Sequence, residues 1–98
     1  MAKSEGRLER LLTAGAFAVT AETTPTATSD ATALLDQVTP LRGYADAVNV
    51  TDGATAKPHL SSLVLAGMMM REGIEPVLQY TVRDRNRIAL QADLLGTG

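Results

Sequence analysis

The sequence predicts an α/β domain built on a parallel sheet. Three apolar runs with β-branched residues are each followed by turn-forming residues and then by apolar residues at helical spacing, in a chain of 98 residues. Strand, loop and helix therefore occur three times in order. Such alternation predicts parallel strands, because each connecting helix must pack back over the sheet. Barrels and open doubly wound sheets both begin in this way.

A short helix is expected before the first strand. Ser4 is a candidate N-cap for this helix, and Gly15 suits its C-terminal end. The first strand is predicted at residues 17–21 and ends at Glu22, before a turn that contains Pro25. This turn has no glycine-rich phosphate loop, which argues against dinucleotide-binding and P-loop folds.

The second and third strands are predicted at residues 47–51 and 77–81. Candidates for the N-cap or first turn of the helices that follow the three strands are Ser29 or Asp30, Pro58 and Asp84. Each helix is expected to bury one apolar face. These faces comprise Ala31, Leu34, Leu35 and Val38; Leu60, Leu63, Val64, Gly67 and Met70; and Ile88, Ala92 and Leu95.

The composition excludes several classes of protein. The formal net charge is -2, the nine Lys and Arg are scattered, and there is no Trp, so a nucleic-acid partner is not expected. Because cysteine is absent, disulfides and thiolate metal sites are excluded. No apolar run approaches the ~18 residues that suggest a membrane span. We expect a cytoplasmic protein.

Strand parity identifies candidate site residues. Successive side chains of a strand point to opposite faces, and each predicted strand has one face that becomes polar near its C-terminal end. These polar residues are Thr20 and Glu22, Asn49 and Thr51, and Gln79 and Thr81. Barrels place their chemistry at this end of the sheet, so we expect the six residues to converge on one site. Polar residues are also common at strand ends that have no function.

Glu22 is the strongest candidate among these residues. A carboxylate that points into the mouth of a barrel must be hydrogen-bonded, paired or protonated, since its desolvation is otherwise costly. Partial burial would favour the protonated form of the Glu22 carboxyl. That form suits a general acid near neutral pH.

The run from 17 to 22, followed by Pro25, resembles the opening strand of the methylenetetrahydrofolate reductases. Where that family usually has two adjacent prolines, this chain has Pro25 followed by Thr26. Further segments that resemble the family, in the same order along the chain, are 48–52, 73–86 and 90–96. The resemblance thus covers most of the chain.

The resemblance implies a partial TIM (β/α)₈ barrel, with about three β/α units after a short N-terminal helix. Residues 1–98 would form the N-terminal fragment of a single barrel domain, since a complete barrel takes ~250 residues. It also implies a flavoprotein oxidoreductase of one-carbon metabolism. Such an enzyme reduces 5,10-methylenetetrahydrofolate to 5-methyltetrahydrofolate with electrons from NAD(P)H, which pass through FAD.

By the same resemblance Glu22 would be the general acid, and Thr51 and Gln79 would lie beside the flavin. Asn49 and Thr81 are cofactor-site candidates on strand parity alone. No metal is expected, because the single histidine has no companion ligands in the sequence.

Two alternatives remain open. The chain could be a non-catalytic subunit that needs a partner to complete the barrel. It could also belong to another pterin-binding TIM-barrel enzyme, such as a transferase, in which Glu22 has a different role. When complete, the protein is expected to be a homo-oligomer or to bind a partner subunit. A three-strand parallel fragment would leave an unpaired edge and an exposed apolar face, so we expect it to be marginally stable, to aggregate or to depend on a partner.

Overall fold

The three strands form one parallel sheet in chain order, with the second strand in the middle. They are β1 (Thr20–Thr23), β2 (Ala47–Val50) and β3 (Pro76–Leu78), in a computed structural model that describes residues 4–97. The predicted α/β class with parallel strands is confirmed. The first strand begins later than predicted and includes Glu22, and the third ends before Gln79.

The helices are α1 (Arg7–Thr13), α2 (Ala31–Val38), α3 (Ser62–Arg71) and α4 (Arg87–Thr97). Single 3₁₀ turns lie at Thr39–Leu41 and Ala54–Ala56. The predicted cap of α2 is confirmed at Asp30, whose carboxylate accepts the Ala33 N–H at 3.2 Å. No helix within residues 4–97 is long and apolar enough to cross a membrane.

Three other helix starts differ from the prediction. Gly6, not Ser4, is the N-cap of α1. The segment that contains Pro58 is not helical, and α3 begins only after Ser61, whose hydroxyl accepts the Val64 N–H at 3.4 Å. For α4, the Asn86 side chain accepts the Ala89 N–H, whereas Asp84 is paired with the neighbouring Arg83.

The core lies on one face of the sheet, where α2 and α3 pack against β2. It comprises Leu34, Val38, Val48, Val50, Leu65, Ala66, Met69 and Ile74. The face predicted for α3 is wrong: Val64 and Met70 are exposed, and the buried face includes Leu65 and Met69 instead. Residues 63–66 are apolar in succession, so helical spacing alone does not select the buried side.

The apolar face predicted for α4 is exposed. Ile88, Ala92 and Leu95 all face solvent, and α4 has no buried residue among those described. The helix is instead tied to the sheet by a polar contact, in which the Tyr80 hydroxyl donates to Asp93. Within residues 4–97 no element covers the apolar side of α4.

Two carboxylates anchor the amino end of the domain. Glu75 accepts the N–H groups of Arg7 and Leu8 at 2.6 and 3.1 Å, so a negative charge lies at the N-terminus of α1, where it is stabilising. Asp46 accepts from the Val19 N–H and from the Arg7 guanidinium, both at 2.9 Å. The Val19 N–H and then Arg7 lower the pKa of Asp46 below its usual range.

Candidate functional site

Glu22 and Asn49 lie side by side on neighbouring strands. The parallel register pairs Glu22 with Asn49, and Asn49 with Val77, so the three residues form one row across the sheet. Paired residues of adjacent strands share a face and lie about 4.8 Å apart. This face is the one that α2 and α3 do not cover, because the helices pack against Val48 and Val50.

Glu22 is exposed to solvent, so the partial burial expected for it is not present. Thr20, on the same side of β1, is also exposed, whereas Asn49 is half-buried between its neighbours. The reason is geometric: Glu22 lies on the side of β1 that α2 and α3 do not cover, although Ala47 on the same side of β2 is buried. Strand parity predicts which way the side chain points but does not reveal how much protein lies above it.

Thr51 and Gln79 extend the same face past the ends of β2 and β3. The Thr51 N–H donates to Thr23 at 3.1 Å and the Gln79 N–H to Val50 at 3.2 Å, so both backbones continue the sheet pairing. Thr51 is 9% exposed, and its hydroxyl has no hydrogen-bond partner among the described residues. Buried polar atoms almost always have a partner, so this unpartnered hydroxyl marks Thr51 as a candidate site residue.

Thr81 belongs to a separate polar cluster, in which the loops after β2 and β3 meet. The Asp52 carboxylate accepts the Thr81 N–H at 2.8 Å and the Thr81 hydroxyl at 3.2 Å. It also accepts both terminal nitrogens of Arg85, Nη1 at 2.6 Å and Nη2 at 3.2 Å. We call these residues, together with Tyr80 and Asp93, the inter-loop cluster. The structure thus places Thr81 with Asp52 and Arg85, apart from the row that contains Glu22.

An aromatic ring supports the ion pair of this cluster. The Arg85 guanidinium lies 4.0 Å from the centre of the Tyr80 ring, a favourable cation–π geometry. The hydrogen bond from Arg85 lowers the pKa of Asp52, and the same bond raises the pKa of Arg85. Burial, followed by the hydrogen bond to Asp93, raises the pKa of Tyr80.

Asp52, Tyr80 and Arg85 were not predicted to be partners from the sequence. The residues 83–86 stand out in the sequence as a charged run, but helix capping and a solvated surface explain such a run equally well. The sequence contained one indication that these segments meet, which is the position of Asp52 and Thr81 relative to the predicted strands. Asp52 directly follows the second predicted strand and Thr81 is the last residue of the third, and the carboxyl ends of adjacent parallel strands meet at one edge.

A cleft of about 440 Å³ opens between the same two loops. Asp52, Lys57, His59 and Arg85 contribute polar groups to its lining. His59 is half-buried, and its Nε2 lies 2.9 Å from the carbonyl oxygen of Ala54, so this histidine helps to hold the loop together. No group of three or more His, Asp or Glu suited to a metal ion occurs within the part of the chain that the structure describes.

The Asp52–Arg85 pair should make the free energy of unfolding depend on pH in the acid range. Asp52→Asn is expected to cost about 2 kcal/mol at neutral pH, because it removes a charged acceptor from a nearly buried network. The folded-state pKa of Asp52 lies below its ordinary value of 3.8, so this stabilisation is present above that pH and is lost as pH falls through the lower, folded-state value. Urea unfolding should be measured at pH values from 7 down into the acid range. The difference in free energy of unfolding between the wild type and Asp52→Asn should become smaller as the pH falls.

Asp84→Asn is the matched control for this measurement. Asp84 is also paired with an arginine, Arg83, but both side chains are largely exposed to solvent. Its replacement should change stability much less than that of Asp52, since exposed ion pairs are screened by water. An equal loss in the two variants at neutral pH would contradict the distinction between the two pairs.

No known protein family, curated protein or solved structure matches the chain. Function must therefore be inferred from the residues themselves. The carboxyl edge of the sheet offers a carboxylate at Glu22, amides at Asn49 and Gln79, and the buried hydroxyl of Thr51. This set can make hydrogen bonds to a polar ligand, but it contains no nucleophile paired with a base.

Proposed function

We propose that the chain forms the first three β/α units of a TIM barrel that reduces 5,10-methylenetetrahydrofolate with FAD, with Glu22 as the general acid. The resemblance of residues 17–22 to the opening strand of the methylenetetrahydrofolate reductases suggests the chemistry. The observation that carries the proposal is the register: Glu22 lies beside Asn49 near the carboxyl edge of a parallel sheet, on the face that the helices leave open. In a barrel that face is the interior, and that edge bears the active site.

The uncovered surfaces of the domain support a barrel. In a barrel the helices form an outer layer, and here α2 and α3 both pack on one face. Within residues 4–97, β3 pairs only with β2, and the apolar residues Ile88 and Leu95 of α4 are exposed. A neighbouring β/α unit would pair the free edge of β3 and cover this side of α4.

The residues after β2 and β3 fit a flavin. A flavin ring carries hydrogen-bonding groups along one edge, and the buried hydroxyl of Thr51 lacks a partner within the described residues. Gln79 is exposed at the end of the adjacent strand and can supply an amide to the same ligand. When bound, the flavin would supply the hydride that reduces the folate carbon.

Glu22 would act on the folate, not on the flavin. As the general acid it would give a proton to a ring nitrogen of the folate, and the bond from that nitrogen to the methylene carbon would break. The methylene carbon, still bonded to the second nitrogen, becomes an iminium carbon that accepts hydride and ends as a methyl group. Asn49, the register partner of Glu22 on the next strand, would hydrogen-bond the Glu22 carboxyl and orient it.

Flavin binding tests this proposal directly. The protein purified from its native cell should carry the visible absorbance of a flavin, and the apoprotein should recover that spectrum when FAD is added. The bound flavin should become reduced on addition of NADH or NADPH. A protein that neither retains nor binds FAD would exclude the reductase and favour a pterin-binding barrel enzyme that does not use flavin.

A further inference from the structure

The inter-loop cluster begins directly after the two residues assigned to the flavin. Asp52 follows Thr51, and Tyr80 and Thr81 follow Gln79. The hydrogen bonds that hold Asp52 against Thr81 therefore also hold Thr51 and Gln79 at a fixed separation. The cluster does not need to touch a ligand to have this effect.

The Asp52 side chain continues the strand pairing beyond the point where the backbone ladder ends. The last backbone bond between these two strands joins the Gln79 N–H to Val50 at 3.2 Å. Two residues later, the Thr81 N–H is bound by the Asp52 carboxylate at 2.8 Å instead of by a backbone carbonyl. A side-chain acceptor can replace a ladder carbonyl in this way and leave the loop backbone free to turn.

Arg85 fixes the carboxylate that performs this pairing. Its two terminal nitrogens bind the two oxygens of Asp52, and its Nη1 also donates to the Thr81 carbonyl oxygen at 2.6 Å. The Tyr80 ring supports the guanidinium from one side. Only a planar fork with several donors can make all these bonds at once, so a lysine cannot reproduce them.

We propose that Asp52 and Arg85 are positioning residues, which hold Thr51 and Gln79 at the spacing that a flavin requires. The identity of the ligand rests on the function proposed above, whereas the positioning itself rests on the contacts of Asp52, Thr81 and Arg85. Arg85→Lys keeps the charge and removes the fork, and it is therefore the informative change. Arg83→Lys is the matched control, because Arg83 pairs with the exposed Asp84 and not with the inter-loop cluster.

Two measurements on the protein test the inference, both at a temperature where circular dichroism shows every variant folded. In ¹⁵N–¹H NMR spectra, Arg85→Lys should shift the amide signals of Thr51 and Gln79, and Arg83→Lys should leave them in place. The Kd for FAD should rise about tenfold in Arg85→Lys, the scale of effect typical of residues that act on a site without touching the ligand. If Arg85→Lys does not fold, Asp52→Asn replaces it.

The outcomes separate this inference from the proposed function. Unchanged amide signals and an unchanged Kd, even with lowered thermal stability, would overturn the positioning role and leave a purely structural ion pair. If the wild-type protein binds no FAD, the proposed function fails, and the amide signals of Thr51 and Gln79 alone decide the positioning role. Shifted signals would then uphold it, and unmoved signals would reject it.

Discussion

Under the proposed function, Glu22→Gln should reduce the rate of methylenetetrahydrofolate reduction by at least about 100-fold, the lower range of what general acids contribute. Glutamine keeps the size and the hydrogen-bonding shape of glutamate but has no acidic proton to give. The variant should still accept electrons from NAD(P)H into FAD at close to the wild-type rate, because that half-reaction needs no proton transfer to folate. Stopped-flow absorbance of the flavin follows the two half-reactions separately.

Glu72→Gln is the control, because it makes the same glutamate-to-glutamine change at a position outside the candidate site. Glu72 lies at the C-terminal end of α3, and its side chain makes a long, solvent-exposed contact with Arg42 at 3.5 Å. Both half-reactions should be unaffected in this variant. Equal slowing of both half-reactions in Glu22→Gln would reject the assignment of Glu22 as the general acid, since a general acid for folate acts in one of them only.

The parallel sheet could be predicted from the sequence because its signals are local. Valine-rich runs such as residues 47–50 have few alternatives to a buried central strand, and the following loops carry clear turn residues. Strand parity placed Glu22 and Asn49 on one face because the side-chain period of a strand is fixed. Asp30 was recognisable as a cap because a helix N-terminus leaves N–H groups that a neighbouring side chain must satisfy.

What could not be predicted depends on contacts between segments far apart in the chain. The pairing of Asp52 with Arg85 joins residues separated by 33 positions and has no periodic signature. The exposure of Glu22 depends on which elements pack over the sheet, and strand parity does not predict this. These failures lie at the carboxyl edge, where polar groups are arranged by loops and not by a repeating pattern.

The orientation of α3 shows how a strong pattern can still mislead. Its sequence is apolar at nearly every position from Ser62 to Met70, so two different faces satisfy helical spacing. The structure selects the face that includes Leu65 and also buries the polar Ser62. The Ser62 hydroxyl donates to the carbonyl oxygen of Gln79 at 3.1 Å, a bond that is available only in this orientation. The face of α3 that buries Leu65 is thus also the face that makes a polar contact with the candidate site.

Leu65→Ala should destabilise the protein by about 3 kcal/mol, within the range for a large-to-small change in a packed core. Leu65 is 0% exposed and packs within the core between α3 and the sheet. Val64→Ala, at the adjacent position, should cost well under about 1 kcal/mol, because Val64 is 54% exposed. Urea unfolding at fixed pH measures both changes.

Comparing the stability losses of Leu65→Ala and Val64→Ala shows which face of α3 packs against the sheet. Helical spacing alone assigned Val64 to the buried face, and on that assignment Val64→Ala would be the more damaging change. A larger loss for Val64→Ala than for Leu65→Ala would mean that α3 is rotated about its axis. Ser62 would then no longer reach Gln79, and the backbone of this candidate flavin residue would lose its hydrogen bond to the helix. The relative cost of two neighbouring substitutions therefore tests the packing that holds one side of the site.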